Sequence, residues 1–507
     1  MRSTNTLRIP PQPIVAPMFA PRLAGSALVK RLSIKIESDD RRVIVRPFIL
    51  GPDRVASLFK RINDLDDARV DETLAHVRQL YEQRHDDLLA TFTEHYDAGA
   101  ALIGWDGQWS LPRRLLAGSY LTMEYAIDSA ALFNPSIVPH PDQRGVAEGA
   151  LRIVMSLRAT GEGHVSSIVF HTGTITAAGD FHLDPPAKQL TRARIALPRL
   201  YEKEEFEHRL TQMRIPEYVV DRVLGELSDP FDLPQLHGTI NALKQGGQVS
   251  GDNVRAMESI ERIASCNYRI RLDDQDQLNE LVIFPLGPEE SRGIEDLRLV
   301  EFTEDDGSKT YLGTYTAYDG FRITPMMIKT PDFKTFEVFS MNGASAMNKG
   351  MALFPRKING HYVVCSRIDG ENLFIGKSDT LYRWDDVTKL TQPEMPWEFV
   401  QLGNCGSPIE TEHGWLLLTH GVGPMRSYSI GAMLLDLDDP TKIIGHMKEP
   451  LLVPDEHERE GYVPNVVYTC GLQLHGGKLY IPYAQADKST GLAVVTLDEL
   501  LEHFDLP

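Results

Sequence analysis

The stretch 292–300, RGIEDLRLV, sets Glu295, Asp296 and Arg298 among the apolar residues Leu297, Leu299 and Val300 of a strand. Charged groups in a half-buried strand are costly unless they are paired or used. Side chains alternate faces along a strand, so Asp296 and Arg298 are expected on one face and Glu295 on the other. Taken alone, the pair reads as a buried ion bridge. It reads as a carboxylic acid at work only if other polar residues gather at comparable strand ends, and several do. Asn134 precedes a proline in LFNPS. Arg158 closes the apolar run of SLRATGEG. Lys349 and Arg367 stand at the two ends of the hairpin expected in NKGMALFPRKINGHYVVCSR. His420 ends WLLLTH, Tyr428 follows it, and Asp487 ends YIPYAQAD. Each has an ordinary explanation: a rim arginine pairs locally, a lone histidine is satisfied in the core, an aspartate after a strand makes a turn. The repetition of polar residues at the ends of apolar strands is harder to dismiss.

These strand ends need a scaffold. From about 115 onward, short apolar runs such as GALRIVMSLRA, NELVIFPLG, KTYLGTYTAYDG, HYVVCSR and SIGAMLLDL are separated by Gly, Asp, Asn and Pro. Repeated short strands with turn chemistry between them indicate a sandwich pair or a propeller, and spacing alone does not choose. Two regions differ. Residues 53–98 carry Val70, Leu74, Val77 and Tyr81, then Leu88, Leu89, Phe92 and Tyr96, at helical spacing. Residues 198–265 are helical again, with Val254, Met257, Ile260 and Ile263 on one face. Residues 1–30 read as an extended, proline-rich arm, a strand pair is expected around LSIKIES and RRVIVRPF, and TLDELLEHF reads as a closing helix. With 71 acidic and 52 basic residues the formal charge is −19, which argues against broad nucleic-acid or anionic-membrane binding. The four cysteines have no metal or disulfide spacing and no apolar run reaches the length of a membrane span. The expectation is a cytoplasmic protein without a metal.

The stretches LFNPS, GIEDLR, MALFPRKINGHYVV, GWLLLTHGV, GAMLLDLDDPTKII, GYVPNVVYTCG and YAQADKSTGLAVVTLDELL together resemble glycoside hydrolase family 130, the β-mannoside phosphorylases and related β-mannosidases. The likeness covers about 115–502, interrupted by the helical insert. It implies a mainly β fold, a five-bladed β-propeller, here with an N-terminal α-helical extension (1–110) and a helical insertion (about 198–265) in a catalytic domain of 111–507. It implies Asp296 as the general acid, in a motif where the family has Pro in place of Leu297. Asn134, Arg158 and Asp487 match residues that hold the mannose ring. Lys349, Arg367 and Tyr428 lie where phosphorylases bind phosphate, with His420 beside them. In this family the acid is thought to pass its proton through the 3-hydroxyl of the sugar.

Inverting cleavage needs an acid for the leaving oxygen and a nucleophile on the opposite face. Phosphate is already a nucleophilic anion, so cations that hold it replace the base. The expected reaction moves a β-linked mannosyl unit from a manno-oligosaccharide to inorganic phosphate, giving α-mannose 1-phosphate, with phosphate as co-substrate and no cofactor. A homo-oligomer is expected from the amphipathic extension. The alternative is a β-mannosidase, for which Glu410 in PIETEHGW, where some phosphorylases carry Lys, is the base to consider. Glu456, Glu458 and Glu460 read as a solvated acidic loop. A third alternative is a propeller that only binds glycans.

Overall fold

Residues 28–504, apart from 86, 188, 197–199, 247–250 and 274–275, are described in a computed structural model. Nearly all of the expected proline-rich arm lies outside the described residues.

The short apolar runs form strands because both faces of many of them are covered. In Gly414–Val422 every residue is buried. Leu416 and Leu418 enter one core, while Trp415 and Leu417 enter another on the opposite face, as a period of two requires. Burying one such side chain contributes about 1.5–3 kcal/mol, so a strand covered on both faces tolerates an unbroken apolar sequence.

Five sheets of four or more strands follow one another, antiparallel throughout except where Leu281–Ile283 pairs parallel to Thr191–Arg192 in the first. The first is led by Ala131–Pro139, Leu151–Thr160 and Ser166–Ile175, the second by Gly293–Thr303, Lys309–Tyr318, Ile323–Thr330 and Thr335–Ser340. The third runs Ala352–Leu353, Tyr362–Ser366, Leu373–Ser378, Asp386–Thr391, and the fourth Gln401–Asn404, Gly414–Val422, Tyr428–Leu435, Ile443–His446. The fifth joins Val467–Tyr468, Lys478–Gln485 and Ser489–Thr496 to Lys30–Ile36 from the other end of the chain. Each sheet touches the next, and Lys478–Gln485 of the fifth touches Ala131–Pro139 of the first.

The expected strand pair near the N-terminus forms differently. Both strands exist, but Lys30–Ile36 pairs with Ser489–Thr496 and Val43–Pro47 pairs with Thr122–Ala126. The first pairing ties the two ends of the described chain into one sheet. Arg31 then reaches Glu458, with Nε to Oε1 at 3.1 Å and Nη2 to Oε2 at 3.0 Å.

The helical layer comprises Pro52–Asn63, Asp67–Tyr81, Leu88–Ile103 and Leu111–Tyr120, so it runs ten residues past 110. Gly118 lets the last helix lie against the backbone of Phe92; a β-carbon there would meet the Phe92 carbonyl. The second helical region is Lys203–Gln212, Glu217–Gly225, Leu233–Gln245 and Gly251–Cys266, which share a core around Phe206, Leu210, Val223, Leu236 and Ile260. The closing helix is Leu497–Leu501.

Candidate active site

The strand Gly293–Thr303 slips register against Lys309–Tyr318 between Glu295 and Arg298, and Asp296 adopts φ 58° there. A bulge adds a residue and breaks the alternation of faces. Glu295 and Asp296 therefore reach the same partner, which corrects the expectation that they face apart. Arg158 Nη2 donates to Glu295 Oε1 at 2.9 Å and Nη1 to Asp296 Oδ1 at 3.3 Å. The expected Asp296–Arg298 side-chain bridge does not form either. Arg298, 1% exposed, donates from Nε to the Cys405 carbonyl at 2.7 Å, from Nη1 to the Asp296 carbonyl at 2.9 Å and from Nη2 to the Tyr468 hydroxyl at 2.7 Å. It fastens the backbone under the acid. Leu297 is buried in the core between the first two sheets, and the register slip forms with leucine at this position.

Two further residues share the left-handed conformation. Asn134, φ 49°, sits in a register slip between Phe133 and Ser136 and donates from Nδ2 to Asp296 Oδ1 at 2.7 Å. Asp487, φ 51°, sits in the turn between Lys478–Gln485 and Ser489–Thr496. Its neighbour Lys488 accepts from the Leu132 amide at 3.0 Å, which draws this turn to the Asn134 strand. Such conformations cost about 1–3 kcal/mol outside glycine and persist where the surroundings enforce them; Asn and Asp tolerate them best.

The two aspartates are driven apart electrostatically. Burial pushes the Asp296 carboxyl up, but Arg158, Arg298, the Asn134 hydrogen bond and Lys349 outweigh it and hold it below the usual carboxylate range. Burial, then the charge of Asp296, pushes Asp487 up to about 6 against the pull of Arg158 and Arg426. Paired titratable groups pushed in opposite directions are a mark of acid–base sites.

A cationic half adjoins this acidic one. Lys349 precedes the first strand and Arg367 follows the second of the Ala352–Leu353/Tyr362–Ser366 pairing, as the hairpin reading expected, and the antiparallel register brings both to its open end. Lys349 Nζ donates to Glu295 Oε2 at 2.6 Å. Arg367 lies over Gly350 and Gly403: an added β-carbon would come 2.7 Å from its Nε at the first and 2.3 Å from its Cδ at the second. Its Nη1 donates to His420 Nε2 at 3.0 Å, and its buried Nε has no hydrogen-bond partner. Among the described residues no carboxylate pairs with Arg367. His420 is fully buried, 6.0 Å from the parallel ring of Tyr428 and 4.9 Å from the ring of Tyr468. Burial and the charges of Arg367 and Arg298 hold it well below its ordinary range, so the imidazole is neutral and its Nε2 accepts from Arg367.

Eight of the nine residues singled out from the sequence thus lie in one connected cluster. Glu410 does not. Its carboxylate is gripped by Arg356, Nε to Oε2 at 2.8 Å and Nη2 to Oε1 at 2.6 Å. Arg356 bridges to Thr303, at the opposite end of the strand that begins beside Asp296. The rise from Asp296 to Thr303 is roughly 20 Å at about 3.3 Å per residue. Glu458 is likewise no solvated loop residue: it is 3% exposed and held by Arg31, the Tyr483 hydroxyl and Gln485. Sequence reasoning missed Glu295 and Tyr468 as members of the cluster. The only sequence signal for Glu295 was its place beside Asp296, and the bulge that brings it inward has none. Among the described residues no group of His, Cys, Asp and Glu could hold a metal ion, and no helix is long and apolar enough to cross a membrane.

The sequence model of glycoside hydrolase family 130, described as beta-1,4-mannooligosaccharide phosphorylase, matches residues 267–506. A 1,2-beta-oligomannan phosphorylase of Thermoanaerobacter sp. (strain X514) is 36% identical over 216 residues, 42% of this chain and 71% of that protein. A beta-1,2-mannobiose phosphorylase of the same organism is 33% identical over 251 residues, 48% of this chain and 80% of that protein. The chain belongs to glycoside hydrolase family 130. The solved beta-1,2-mannobiose phosphorylase from Listeria innocua, in complex with beta-1,2-mannobiose, is 22% identical, covering 75% of this chain and 92% of that one at a TM-score of 0.44. The family match leaves out Asn134 and Arg158, and both donate hydrogen bonds to Asp296 inside the matched region.

Proposed function

We propose that this chain is an inverting phosphorylase that transfers a β-linked mannosyl unit from a manno-oligosaccharide to inorganic phosphate and yields α-mannose 1-phosphate. The observation that carries the reading is the pairing of an acid cluster at Asp296 with a guanidinium, Arg367, that has no carboxylate partner among the described residues. An uncompensated cation in a buried setting is costly; an anion arriving there removes the cost. Asp296, held ionised in the empty site by its cations, takes up a proton once substrate and phosphate engage Arg158 and Lys349, and passes it through the sugar 3-hydroxyl to the leaving oxygen. Asn134, Arg158 and Asp487 hold the mannose ring. Lys349, Arg367 and Tyr428 hold phosphate for attack at C1 from the face opposite the leaving group. His420, buried behind Arg367, acts by fixing that guanidinium and does not touch phosphate. Bringing a charged nucleophile and an acid into one oriented, water-poor site lowers the barrier by positioning and charge stabilisation.

The five sheets and their succession of contacts support a five-bladed propeller with the cluster in its central depression and the N-terminal strand closing the last blade. The hydrolase alternative loses its base, because Glu410 is occupied by Arg356 and lies at the far end of the strand. The reaction takes place in the cytoplasm on this reading. The test is product analysis with β-1,2- and β-1,4-mannobiose, with and without phosphate. Mannose 1-phosphate that appears only with phosphate supports the proposal. Free mannose released at equal rates in both conditions overturns it.

A further inference from the structure

Glu295 touches both halves of the cluster. Its Oε1 accepts from Arg158 and its Oε2 from Lys349, while its side chain is 13% exposed. We propose that Glu295 is a positioning residue that holds the Lys349 ammonium beside the mannose pocket in the empty enzyme and yields it to phosphate when phosphate enters. This rests on the phosphorylase reading and goes beyond it, since it assigns a role to a residue outside the acid, the mannose-binding set and the phosphate-binding set.

The two cations on Glu295 differ in freedom. Arg158 is locked: Nε donates to Ser166 Oγ at 2.9 Å, Nη1 and Nη2 are on the two carboxylates, and the guanidinium stands 5.1 Å from the Phe133 ring. Lys349 has a compact ammonium on a flexible four-carbon stem. Glu295 is its ion-pair partner among the described residues, and the side chain is 38% exposed. The root of that stem is fixed. The Lys349 amide donates to Asn348 Oδ1 at 2.8 Å, and the Gly350 carbonyl accepts from Asn404 Nδ2 at 2.7 Å. Only the head is free to swing. It swings toward Arg367, because Gly350, the next residue, lies against that guanidinium. Phosphate seated on Arg367 is therefore within the arc of Lys349.

Charge gives the exchange its direction. Arg158, Arg298 and Lys349 act on Asp296, Arg158 also on Glu295 and Asp487, and Arg426 on Asp487 from the rim, while Arg367 has no carboxylate partner among the described residues. A phosphate dianion outcompetes one carboxylate oxygen for an ammonium, and Glu295 keeps Arg158 when Lys349 leaves. Glu295 thus weakens phosphate binding while aiming the lysine. Removing a carboxylate beside an anion site tightens the anion, and removing the aim slows turnover.

The experiment is calorimetric titration of wild type, Glu295→Gln and Glu295→Asp with inorganic phosphate, together with KM and kcat for each. E295Q is expected to bind phosphate about five- to tenfold more tightly, as the loss of a nearby opposing charge in a medium of intermediate dielectric implies, while kcat falls. E295D is expected to recover part of both. A purely structural Glu295 would lower thermal stability and leave phosphate affinity unchanged. Unchanged or weaker phosphate binding by a folded E295Q overturns the proposal. Should E295Q not fold, the wild-type crystal structure with phosphate decides. Nζ on phosphate and off Glu295 supports the exchange, and Nζ still on Glu295 overturns it. Phosphate binding is read here without turnover, so a wild type that binds phosphate yet forms no mannose 1-phosphate refutes the phosphorylase reading alone.

Discussion

Replacing Asp487 by Asn tests the electrostatics of the cluster at the carboxylate raised within it. Burial, and after it the charge of Asp296, raise the Asp487 carboxyl from 3.8 to about 6. Between about pH 4 and pH 6 the native state then holds more protons than the unfolded chain, so stability falls as pH rises through that window. Above pH 6 the destabilisation is complete. A shift of roughly two units at about 1.4 kcal/mol each gives about 3 kcal/mol. D487N removes the charge and is expected to be more stable than wild type by up to about 3 kcal/mol at pH 8, with the gain vanishing near pH 4. Mannoside turnover should collapse in the same variant, because the side chain also holds the sugar. The assay is urea unfolding of both proteins at pH 4 and pH 8, followed by tryptophan fluorescence. A D487N variant that is equally destabilised at both pH values would refute the electrostatic reasoning.

Other perturbations separate the parts of the account. Asp296→Asn should lower kcat by about 10²–10⁴-fold, the usual worth of a positioned acid, with the fold retained by circular dichroism. His420→Phe removes the acceptor that fixes Arg367 and should raise the KM for phosphate by about tenfold, the effect of one lost hydrogen bond to a charged group, with little change in the KM for mannoside. Glu410→Gln breaks only a half-exposed pair with Arg356 and should leave turnover within about twofold, since such pairs contribute at most about 1 kcal/mol. Arg31→Ala leaves the buried Glu458 carboxylate without its cation and should cost about 3 kcal/mol, seen as a lower urea midpoint, although Arg31 lies far along the chain from the site.

Much of this cluster was legible because its members stand at the ends of apolar strands, and a strand end is easily read from sequence. Asn134, Arg158, Asp487, Lys349, Arg367, Tyr428 and His420 all came from that pattern, and the shared motifs gave their expected roles. The backbone detail was not legible. A bulge at Asp296 reverses the facing of Glu295, and nothing in IEDLR announces it, because a bulge is set by pairing with a strand elsewhere in the chain. The same limit hid Arg298, whose partners are a carbonyl at Cys405 and a hydroxyl at Tyr468. Glu410, expected as a base, and Glu458, expected in a solvated loop, failed for a related reason: Arg356 and Arg31, distant in sequence, are what occupy them. The N-terminal strand was visible as a strand, but its partner lies more than 450 residues away, a separation that local pattern cannot supply.

The most direct test of the central claim is the anomeric configuration of the first product, followed by proton and phosphorus NMR as wild-type enzyme acts on β-1,2-mannobiose with inorganic phosphate. One acid at Asp296 and a phosphate held on the opposite face by Arg367 and Lys349 predict α-mannose 1-phosphate as the initial product. Initial β-mannose 1-phosphate would demand a second carboxylate as nucleophile, and free mannose as the sole product would demand a water and a base; either would contradict the account.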